Sequence, residues 1–286
     1  MQLLDGKTLA KKIEENVSNE AKELKNRTGR VPGLAVILVG HDPASQAYVG
    51  MKKKACDRAG FYSVTHEMPE DISQSAIINT IEMMNNNPNI DGILIQLPLP
   101  AHIDTTKILE VVSPSKDVDG FHPYNVGRLA TGLDGFVPCT PLGVMKLLAE
   151  YNIDPKGKNA VIVGASNIVG KPMAALLLNA NATVTITHIH TRDLSAHTRE
   201  ADILLVGAGV INLIKEEMVR EDAVVIDIGI NRAPDGRLVG DVDFDAVAPK
   251  TSYITPVPGG VGPMTIAMLL ANTLTAAQNH AKEERQ

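Results

Sequence analysis

The segment NAVIVGASNIVGKPMAALLLNANATVTITHIH, residues 159–190, decides the fold of this chain. It contains an apolar run, a turn bounded by Gly164 and Gly170, a helical stretch and a second run rich in β-branched residues. A strand, a glycine turn, a helix and a second strand fit within about thirty residues, the size of one βαβ unit. Strands joined in this way are parallel, so the segment predicts an α/β fold.

Strands and helices continue to alternate on both sides of this segment. Downstream, the runs ADILLVGAG and AVVIDIGIN predict two more strands. Upstream, strands are predicted over 33–40, 61–68 and 91–97, and helices over 5–27, 44–59, 73–86, 104–112 and 142–151. A last helix is predicted near the end of the chain, over 264–281. The stretch 113–141 is rich in Gly, Pro and Asp and is predicted as a long functional loop. Two alternating series predict two α/β lobes.

Composition narrows the class of protein. The chain has 286 residues, 44% of them hydrophobic, which suits two lobes with buried cores. A net charge of −6, an aromatic content of 3% and the absence of Trp argue against a nucleic-acid partner. Two cysteines, Cys56 and Cys139, with no metal-binding spacing, fit a reducing compartment and predict no metal site. No signal segment or apolar run of membrane-spanning length is present, so we expect a cytoplasmic protein with no membrane partner.

The turn at residues 164–170 is the first candidate binding site. A pyrophosphate needs backbone N–H groups at a helix N-terminus and no side chain that blocks its approach. The pattern here is G-x-S-x-x-x-G, with Ser166 where the common dinucleotide motif has its middle glycine. A plain strand–helix connection would give the same pattern, so the turn alone does not distinguish a nucleotide site from an ordinary connection.

The end of the second strand bears on the choice of cofactor. A site selective for NAD usually has an acidic residue there, which binds the ribose 2′-hydroxyl. This chain has His188, His190 and Arg192, and no acid before Asp193. Basic groups favour a 2′-phosphate and therefore NADP, although the same residues are equally typical of a solvated surface.

Four polar residues in the first lobe are candidates for chemistry. Tyr48 and Lys52 lie four apart and therefore on one face of a predicted helix, while Lys53 and Lys54 point elsewhere. Gln96 ends an apolar strand, at the edge where α/β sheets bind ligands. Asp119 lies in KDVDG. Each has a plain structural explanation: a solvated helix face for the lysine run, a strand-end polar cap for Gln96 and a turn for Asp119.

Taken together, the motifs resemble one family. The segments YVGMKKK, DGILIQLPLP, KDVDGFHPYNVGRL, PCTP, GASNIVGKPM, DIGIN, VGDVDF and PVPGGVGPMT occur in order over about residues 1–280. In this respect the chain is similar to the bifunctional methylenetetrahydrofolate dehydrogenase/methenyltetrahydrofolate cyclohydrolase family. The segments PVPGGVGPMT and DGILIQLPLP are highly specific.

The resemblance implies an architecture and two reactions. It implies an N-terminal α/β catalytic domain, residues 1–139 completed by a C-terminal helix over 264–286, and a Rossmann-like NAD(P)-binding domain over 140–263, flanking a cleft in a homodimer. It implies oxidation of 5,10-methylenetetrahydrofolate to the methenyl cation with NADP. Hydrolysis to 10-formyltetrahydrofolate follows, within one-carbon metabolism that feeds purine biosynthesis.

The resemblance also implies roles for the four polar residues. Lys52 matches the family's catalytic lysine and transfers protons in its neutral form, which burial and a cationic substrate favour. Gln96 holds that lysine and contacts the substrate. Tyr48 offers a flat face to the folate rings, and Asp119 accepts hydrogen bonds from the pterin.

Other residues are implied at the two sites. Leu97, Pro258, Gly259 and Gly262 are expected to border the folate, the last three in a segment with three glycines and two prolines in seven residues. Thr140 and Ile230 are expected to line the nicotinamide side. Alternatively, Thr140 is a hinge residue and Ile230 is a core residue.

Two departures from the family pattern concern the cofactor. Many members have G-R-S where this chain has Gly164, Ala165 and Ser166, and the missing arginine would contact the 2′-phosphate. Many also have C-H-S where Ile189 is the third residue here, which can offer only its backbone. His190 or Arg192 could compensate, and we therefore expect NADP in preference to NAD.

Two other functions fit part of the pattern. A dehydrogenase without cyclohydrolase activity would use Lys52 only to position folate, and the sequence does not separate this case from the bifunctional enzyme. A non-catalytic sensor of dinucleotide redox state would not need Tyr48, Lys52, Gln96 and Asp119 together.

Overall fold

The computed structural model describes residues 1–283. The strands are β1 Gln2–Leu3, β2 Gly33–Val39, β3 Tyr62–Met68, β4 Gly92–Ile95, β5 Asn159–Val163, β6 Thr183–Thr187, β7 Ile203–Val206, β8 Val224–Asp227, β9 Asn231–Arg232, β10 Leu238–Val239 and β11 Tyr253–Ile254. The helices are α1 Gly6–Thr28, α2 Pro43–Ala59, α3 Gln74–Asn85, α4 Thr105–Val111, α5 Pro123–Ala130, α6 Cys139–Glu150, α7 Gly170–Asn179, α8 Leu194–Thr198, α9 Phe244–Val247 and α10 Val261–Glu283.

The chain divides into two compact units. The six-stranded unit comprises Met1–Ala10, Leu129–Leu133 and Thr140–Thr265, and the three-stranded unit comprises Lys11–Arg128, Asp134–Cys139 and Ile266–Gln286. The predicted α/β class with two lobes is confirmed. The first ten residues group with the six-stranded unit, in whose sheet β1 pairs in parallel with β11.

The three-stranded unit is built on a parallel sheet in the order β3-β2-β4. Every residue of the central strand β2 is buried, as its continuous apolar run predicts. Helix α2 begins after Asp42, whose carboxylate accepts a hydrogen bond from the N–H of Ser45 at 2.8 Å, and ends at Gly60 in the left-handed conformation. The core lies between this sheet and helices α3 and α4, with Ile37, Ile77, Ile93 and Ile108 among its buried residues.

The six-stranded unit contains a parallel sheet in the order β1-β11-β8-β7-β5-β6. Strand β5 pairs on one side with β6 and on the other with β7, and α7 connects β5 to β6 as the predicted βαβ unit requires. Apolar residues of β5, β7 and β8 form one core, with Val161, Leu204 and Val225 among them. The short pair β9 and β10 forms an antiparallel hairpin beside this sheet.

The predicted loop 113–141 contains helix α5 and the start of α6. The buried carboxylate of Asp117 accepts hydrogen bonds from the N–H groups of Phe121 and His122, just before α5, and from Nδ2 of Asn125 within it. Because one buried carboxylate anchors it, this helix can form within a stretch that is rich in Gly and Pro. Composition alone did not reveal this anchor.

The predicted bounds of the other long helices agree with the structure to within three residues. Within residues 1–283, no helix is both long enough and apolar enough to cross a membrane.

Candidate active site

The three-stranded unit brings Lys52 and Gln96 together. Lys52 lies in α2 with 8% of its surface exposed, and its Nζ donates a hydrogen bond to Oε1 of Gln96 at 3.0 Å. Gln96 directly follows β4, and its backbone N–H donates to the carbonyl of Ile37 in β2. Its amide Nε2 donates to the carbonyl oxygen of Leu97 at 2.8 Å. The glutamine is therefore held at both ends and presents its oxygen to the lysine.

A carboxylate completes this group. Burial raises the pKa of Asp119, and it does so against the lowering effects of the charge on Lys52 and of a hydrogen bond from the Cys139 thiol. The same thiol lies 3.4 Å from the carbonyl oxygen of Val118, and burial raises the pKa of Cys139 far above its usual value. Asp119 is thus close enough to Lys52 for their charges to interact, in surroundings of low polarity.

Tyr48 lies one helical turn before Lys52 and is half-buried. Burial raises the pKa of its hydroxyl, so the ring remains neutral at physiological pH. Lys53 and Lys54 are exposed, which agrees with the prediction that they point away from Lys52. A lysine, an amide, a carboxylate and an aromatic ring in one place can bind a planar heterocycle and move protons on it.

The glycine turn lies at the carboxyl end of β5. Gly164 has a φ of +113°, and a Cβ atom added to it would lie 2.3 Å from the carbonyl oxygen of Gly207. A Cβ added to Gly170 would lie 2.0 Å from the carbonyl oxygen of Gly164. The Oγ of Ser166 accepts hydrogen bonds from the N–H groups of Val169 at 3.2 Å and Gly170 at 3.4 Å. Only glycines fit at both ends, and the half-buried Ala165 adds a single methyl group, so the turn leaves room for a pyrophosphate at the N-terminus of α7.

The residues that follow β6 lie at the protein surface. His188, Ile189, His190 and Arg192 are all exposed, and the side chain of Ile189 is almost wholly so. The backbone N–H of His190 donates to Nδ1 of His188 at 3.2 Å, and the two rings lie 6.0 Å apart. The basic groups are thus available at the strand end where a dinucleotide ribose binds in this type of fold.

The remaining predicted residues belong to the six-stranded unit. Thr140 and Thr265 share a hydrogen bond between their hydroxyls at 2.9 Å, and Ile230 is exposed. A Cβ atom added to Gly262 would lie 3.3 Å from Cδ1 of Ile230, so these two expected ligand contacts are neighbours. Pro258 and Gly259 precede α10. The three-stranded unit therefore contains the polar group around Lys52, and the six-stranded unit contains the glycine turn and the other predicted residues.

Sequence reasoning gave no role to Cys139, Asp227 or Asp241. All three are buried, and Asp227 and Asp241 form a network of hydrogen bonds at the carboxyl edge of the six-stranded sheet. Asp227 is the last residue of a buried strand, and an acid in that position was the signal that could have identified it.

These two arrangements define a class of protein. A parallel sheet whose glycine turn leaves room for a pyrophosphate is a dinucleotide-binding domain. A buried lysine held beside a carboxylate is suited to acid–base chemistry. The chain is therefore an enzyme that works with a dinucleotide.

Comparison with known proteins gives the family. The model of the tetrahydrofolate dehydrogenase/cyclohydrolase catalytic domain matches residues 4–119, and that of the NAD(P)-binding domain of the same enzymes matches residues 138–281. The chain therefore belongs to the tetrahydrofolate dehydrogenase/cyclohydrolase family and is an oxidoreductase and a hydrolase. The resemblance drawn from its motifs is confirmed.

Individual relatives agree with this result. The bifunctional protein FolD of Sulfurimonas denitrificans is 79% identical over 283 residues, which cover 99% of each chain. The crystal structure of the FolD methylenetetrahydrofolate dehydrogenase/cyclohydrolase of Campylobacter jejuni is 57% identical, with a TM-score of 0.96 over 98% of this chain and 99% of that one. The enzyme of Trypanosoma brucei, solved with NADP cofactor and an inhibitor, is 40% identical, with a TM-score of 0.93 over 96% of each chain.

Proposed function

We propose that the chain oxidises 5,10-methylenetetrahydrofolate with NADP and then hydrolyses the methenyl product to 10-formyltetrahydrofolate, with Lys52 as the proton-transfer group. The observation that carries this proposal is the hydrogen bond from Nζ of Lys52 to Oε1 of Gln96, together with the neighbouring carboxylate of Asp119.

The hydrolysis moves both protons of the attacking water. Water attacks the methenyl carbon, and the amine of Lys52 takes the first proton, which leaves a hydroxyl group on that carbon. The bond from the carbon to N5 then breaks as the lysine ammonium returns this proton to N5. The hydroxyl proton is released to solvent as the carbon–oxygen double bond forms, which leaves a formyl group on N10. Gln96 keeps the amine directed at the reacting carbon throughout, since its own amide is fixed by Leu97.

Folate binding is assigned to the three-stranded unit. The carboxylate of Asp119 accepts hydrogen bonds from the pterin amino and ring N–H groups, and the ring of Tyr48 packs against the folate. Leu97 borders the same site beside Gln96. Pro258, Gly259 and Gly262 are proposed to border the folate as well.

Dinucleotide binding is assigned to the six-stranded unit. When bound, the nicotinamide accepts the hydride that the methylene carbon loses. Gly164, Ala165 and Ser166 bind the pyrophosphate at the N-terminus of α7, and Thr140 and Ile230 line the nicotinamide. Arg192 and His190, with the backbone of Ile189, bind the 2′-phosphate in place of the arginine that Ala165 replaces. NADP as the cofactor is supported by these basic groups and by the relative solved with NADP.

We further propose a cytoplasmic homodimer. Strand β3 is an edge of its sheet, and its Tyr62 is exposed, so an unpaired strand edge is available for a second copy. Both cysteines are free and buried, which suits a reducing compartment. Light scattering on the purified chain would test the dimer, and a monomer at micromolar concentration would contradict it.

One assay tests the reaction, the cofactor and the second activity. Methylenetetrahydrofolate is supplied with NADP or NAD in parallel, and both the formation of the methenyl compound and its decay are followed. We expect oxidation that is faster with NADP, and hydrolysis that is faster than the spontaneous decay. Oxidation without enzymic hydrolysis would leave a dehydrogenase alone, and an absence of oxidation would overturn the proposal.

A further inference from the structure

Asp241 connects two loops at the carboxyl edge of the six-stranded sheet. Its side chain is fully buried, and Oδ2 accepts hydrogen bonds from the backbone N–H groups of Ala208 at 2.6 Å and Gly209 at 2.8 Å. Its Oδ1 accepts a hydrogen bond from Nδ2 of Asn231 at 2.8 Å. Ala208 and Gly209 follow β7, whereas Asn231 follows β8 by four residues, so one carboxylate joins both loops.

A second buried carboxylate holds the first in place. Oδ1 of Asp227 accepts hydrogen bonds from the backbone N–H groups of Gly229 at 3.0 Å and Asp241 at 3.1 Å, and Oδ2 accepts one from Val242 at 2.9 Å. A Cβ atom added to Gly229 would lie 2.3 Å from the carboxyl carbon of Asp241. The loop after β8 is therefore packed directly against the Asp241 side chain, with no space for a side chain at position 229.

The joined loops border the dinucleotide site on two sides. The carbonyl of Gly207 lies against the glycine turn, because it is the atom that a Cβ on Gly164 would meet at 2.3 Å. Ile230, assigned to the nicotinamide, is flanked by Gly229 and Asn231, and both of these neighbours are fixed by the two carboxylates. Asp241 thus fixes the backbone beside the pyrophosphate turn and holds the side chain of Asn231, the residue that follows Ile230.

We propose that Asp241 is a positioning residue for the dinucleotide: it sets the distance between the loop after β7 and the loop that carries Ile230. The proposal rests on the proposed function, in which Ile230 lines the nicotinamide. A carboxylate suits this role because its two oxygens accept three N–H donors at once, whereas an amide of the same shape has one oxygen and adds donors. The hydrogen bonds are charge-assisted and therefore strong.

The test compares Asp241→Asn with the double substitution Asp241→Asn, Asn231→Asp. The single change brings two amides face to face at the Asn231 contact. The double change restores a donor–acceptor pair there, while the remaining amide oxygen still accepts from Ala208 and Gly209. We expect the single variant to raise the KM for NADP about tenfold or more and to lower the dehydrogenase kcat, and the double variant to recover much of this loss.

Three controls separate positioning from general loss of structure. Hydrolysis of methenyltetrahydrofolate without dinucleotide reports on Lys52 and its partners in the other unit, and we expect it to change less than about twofold. Asp243→Asn, two residues further along, removes only a partly exposed ion pair with Lys215 and is expected to have wild-type kinetics. Asn231→Ala removes one donor without opposing a second amide, and we expect a smaller rise in the KM for NADP.

The outcomes are distinct. Wild-type KM for NADP and kcat in Asp241→Asn would overturn the inference, and so would a parallel loss of both activities with no recovery in the double variant. If Asp241→Asn does not fold, a wild-type KM for NADP in Asn231→Ala overturns it. A wild-type enzyme that fails to oxidise methylenetetrahydrofolate with NADP would instead refute the proposed function.

Discussion

Nζ of Lys52 lies 3.0 Å from Oε1 of Gln96, across 44 residues of sequence. The two residues meet because α2 follows β2, Gln96 follows β4, and β2 and β4 are adjacent parallel strands. The sheet register therefore determines where the lysine amine is held. The hydrogen bond to the amide oxygen fixes where the amine nitrogen lies, and its other positions remain to exchange a proton.

Lys52→Met is expected to abolish hydrolysis of methenyltetrahydrofolate while folate still binds. Methionine retains the length and apolar character of the lysine stem but has no group that can take a proton from water. The measurement is the enzymic rate of methenyl decay, together with folate affinity by fluorescence or calorimetry. A rate equal to that of the wild type would show that Lys52 does not transfer the proton.

Lys54→Met is the matched control for this change. Lys54 is exposed and lies on the opposite side of α2 from the buried Lys52. The substitution has the same chemistry but should leave both activities within about twofold of the wild type. Loss of hydrolysis in both variants would point to the net charge of the helix instead of to Lys52.

Gln96→Glu is expected to slow hydrolysis more than Gln96→Ala does. A carboxylate at the amide position would pair with the protonated amine of Lys52 and hold it in the form that cannot take a proton from water. We expect a loss of at least about tenfold in kcat for Gln96→Glu. Gln96→Ala provides the comparison, because it removes the contact without adding charge. An equal or smaller loss in Gln96→Glu would contradict the proposed contact.

Asp119 should make folate binding weaker at acid pH. Burial raises the pKa of its carboxyl, and the protonated form loses the acceptor that the pterin N–H groups need. The KM for methylenetetrahydrofolate should therefore rise as pH falls through the raised pKa. In Asp119→Asn it should be high and nearly independent of pH over the same range, while the KM for NADP changes much less. Equal losses for folate and dinucleotide would contradict the assignment of Asp119 to the pterin.

The strands and long helices of this fold were predictable because each has a regular apolar pattern. The position of the glycine turn was predictable, since Gly164 and Gly170 separate a strand from a helix. Whether the turn has room for a pyrophosphate depended on atoms that are distant in sequence. The carbonyl that approaches Gly164 belongs to Gly207, which follows β7 and lies 43 positions further along the chain. No local pattern encodes that approach.

Other features depended on distant partners. Helix α5 was missed because its anchor, Asp117, lies outside the helix. The strand β1 was missed because two residues are too few for a periodic signal, and they pair with β11 at the far end of the chain. The acids Asp227 and Asp241 were visible in DIGIN and VGDVDF, yet their roles depend on which backbone N–H groups they meet after folding.

Gly164→Ala is expected to destabilise the six-stranded unit and to weaken dinucleotide binding. Its backbone has a φ of +113°, and the added methyl would lie 2.3 Å from a carbonyl oxygen. Gly157→Ala is the control, because it has a φ of +72° but no atom within 4 Å of the added methyl. The control should lose about 1 kcal/mol of unfolding free energy from backbone strain alone, and Gly164→Ala clearly more. Urea unfolding and the KM for NADP are the measurements, and equal losses in the two variants would show that the close approach is unimportant.

The free energy of unfolding should fall as pH rises toward neutrality, because the buried carboxyl of Asp227 loses its proton. Burial raises its pKa from the usual 3.8 to about 6. Between these two values the folded chain binds a proton that the unfolded chain has released, so the contribution is fully present below about pH 4 and is lost as pH rises through about 6. From pH 5 to pH 8 the loss is on the order of 1–1.5 kcal/mol.

Asp227→Asn removes this titration and also weakens three backbone hydrogen bonds. The variant should therefore be less stable than the wild type at every pH, but the difference in unfolding free energy should be largest near pH 5 and should shrink toward pH 8. Asp243→Asn, at a partly exposed position outside this network, serves as the reference for an Asp-to-Asn change. Urea unfolding at pH 5, 6, 7 and 8 measures all three proteins. A difference for Asp227→Asn that grows with pH would mean that the ionised carboxylate is the stabilised form, because the N–H groups of Gly229, Asp241 and Val242 would then outweigh the cost of burying the charge.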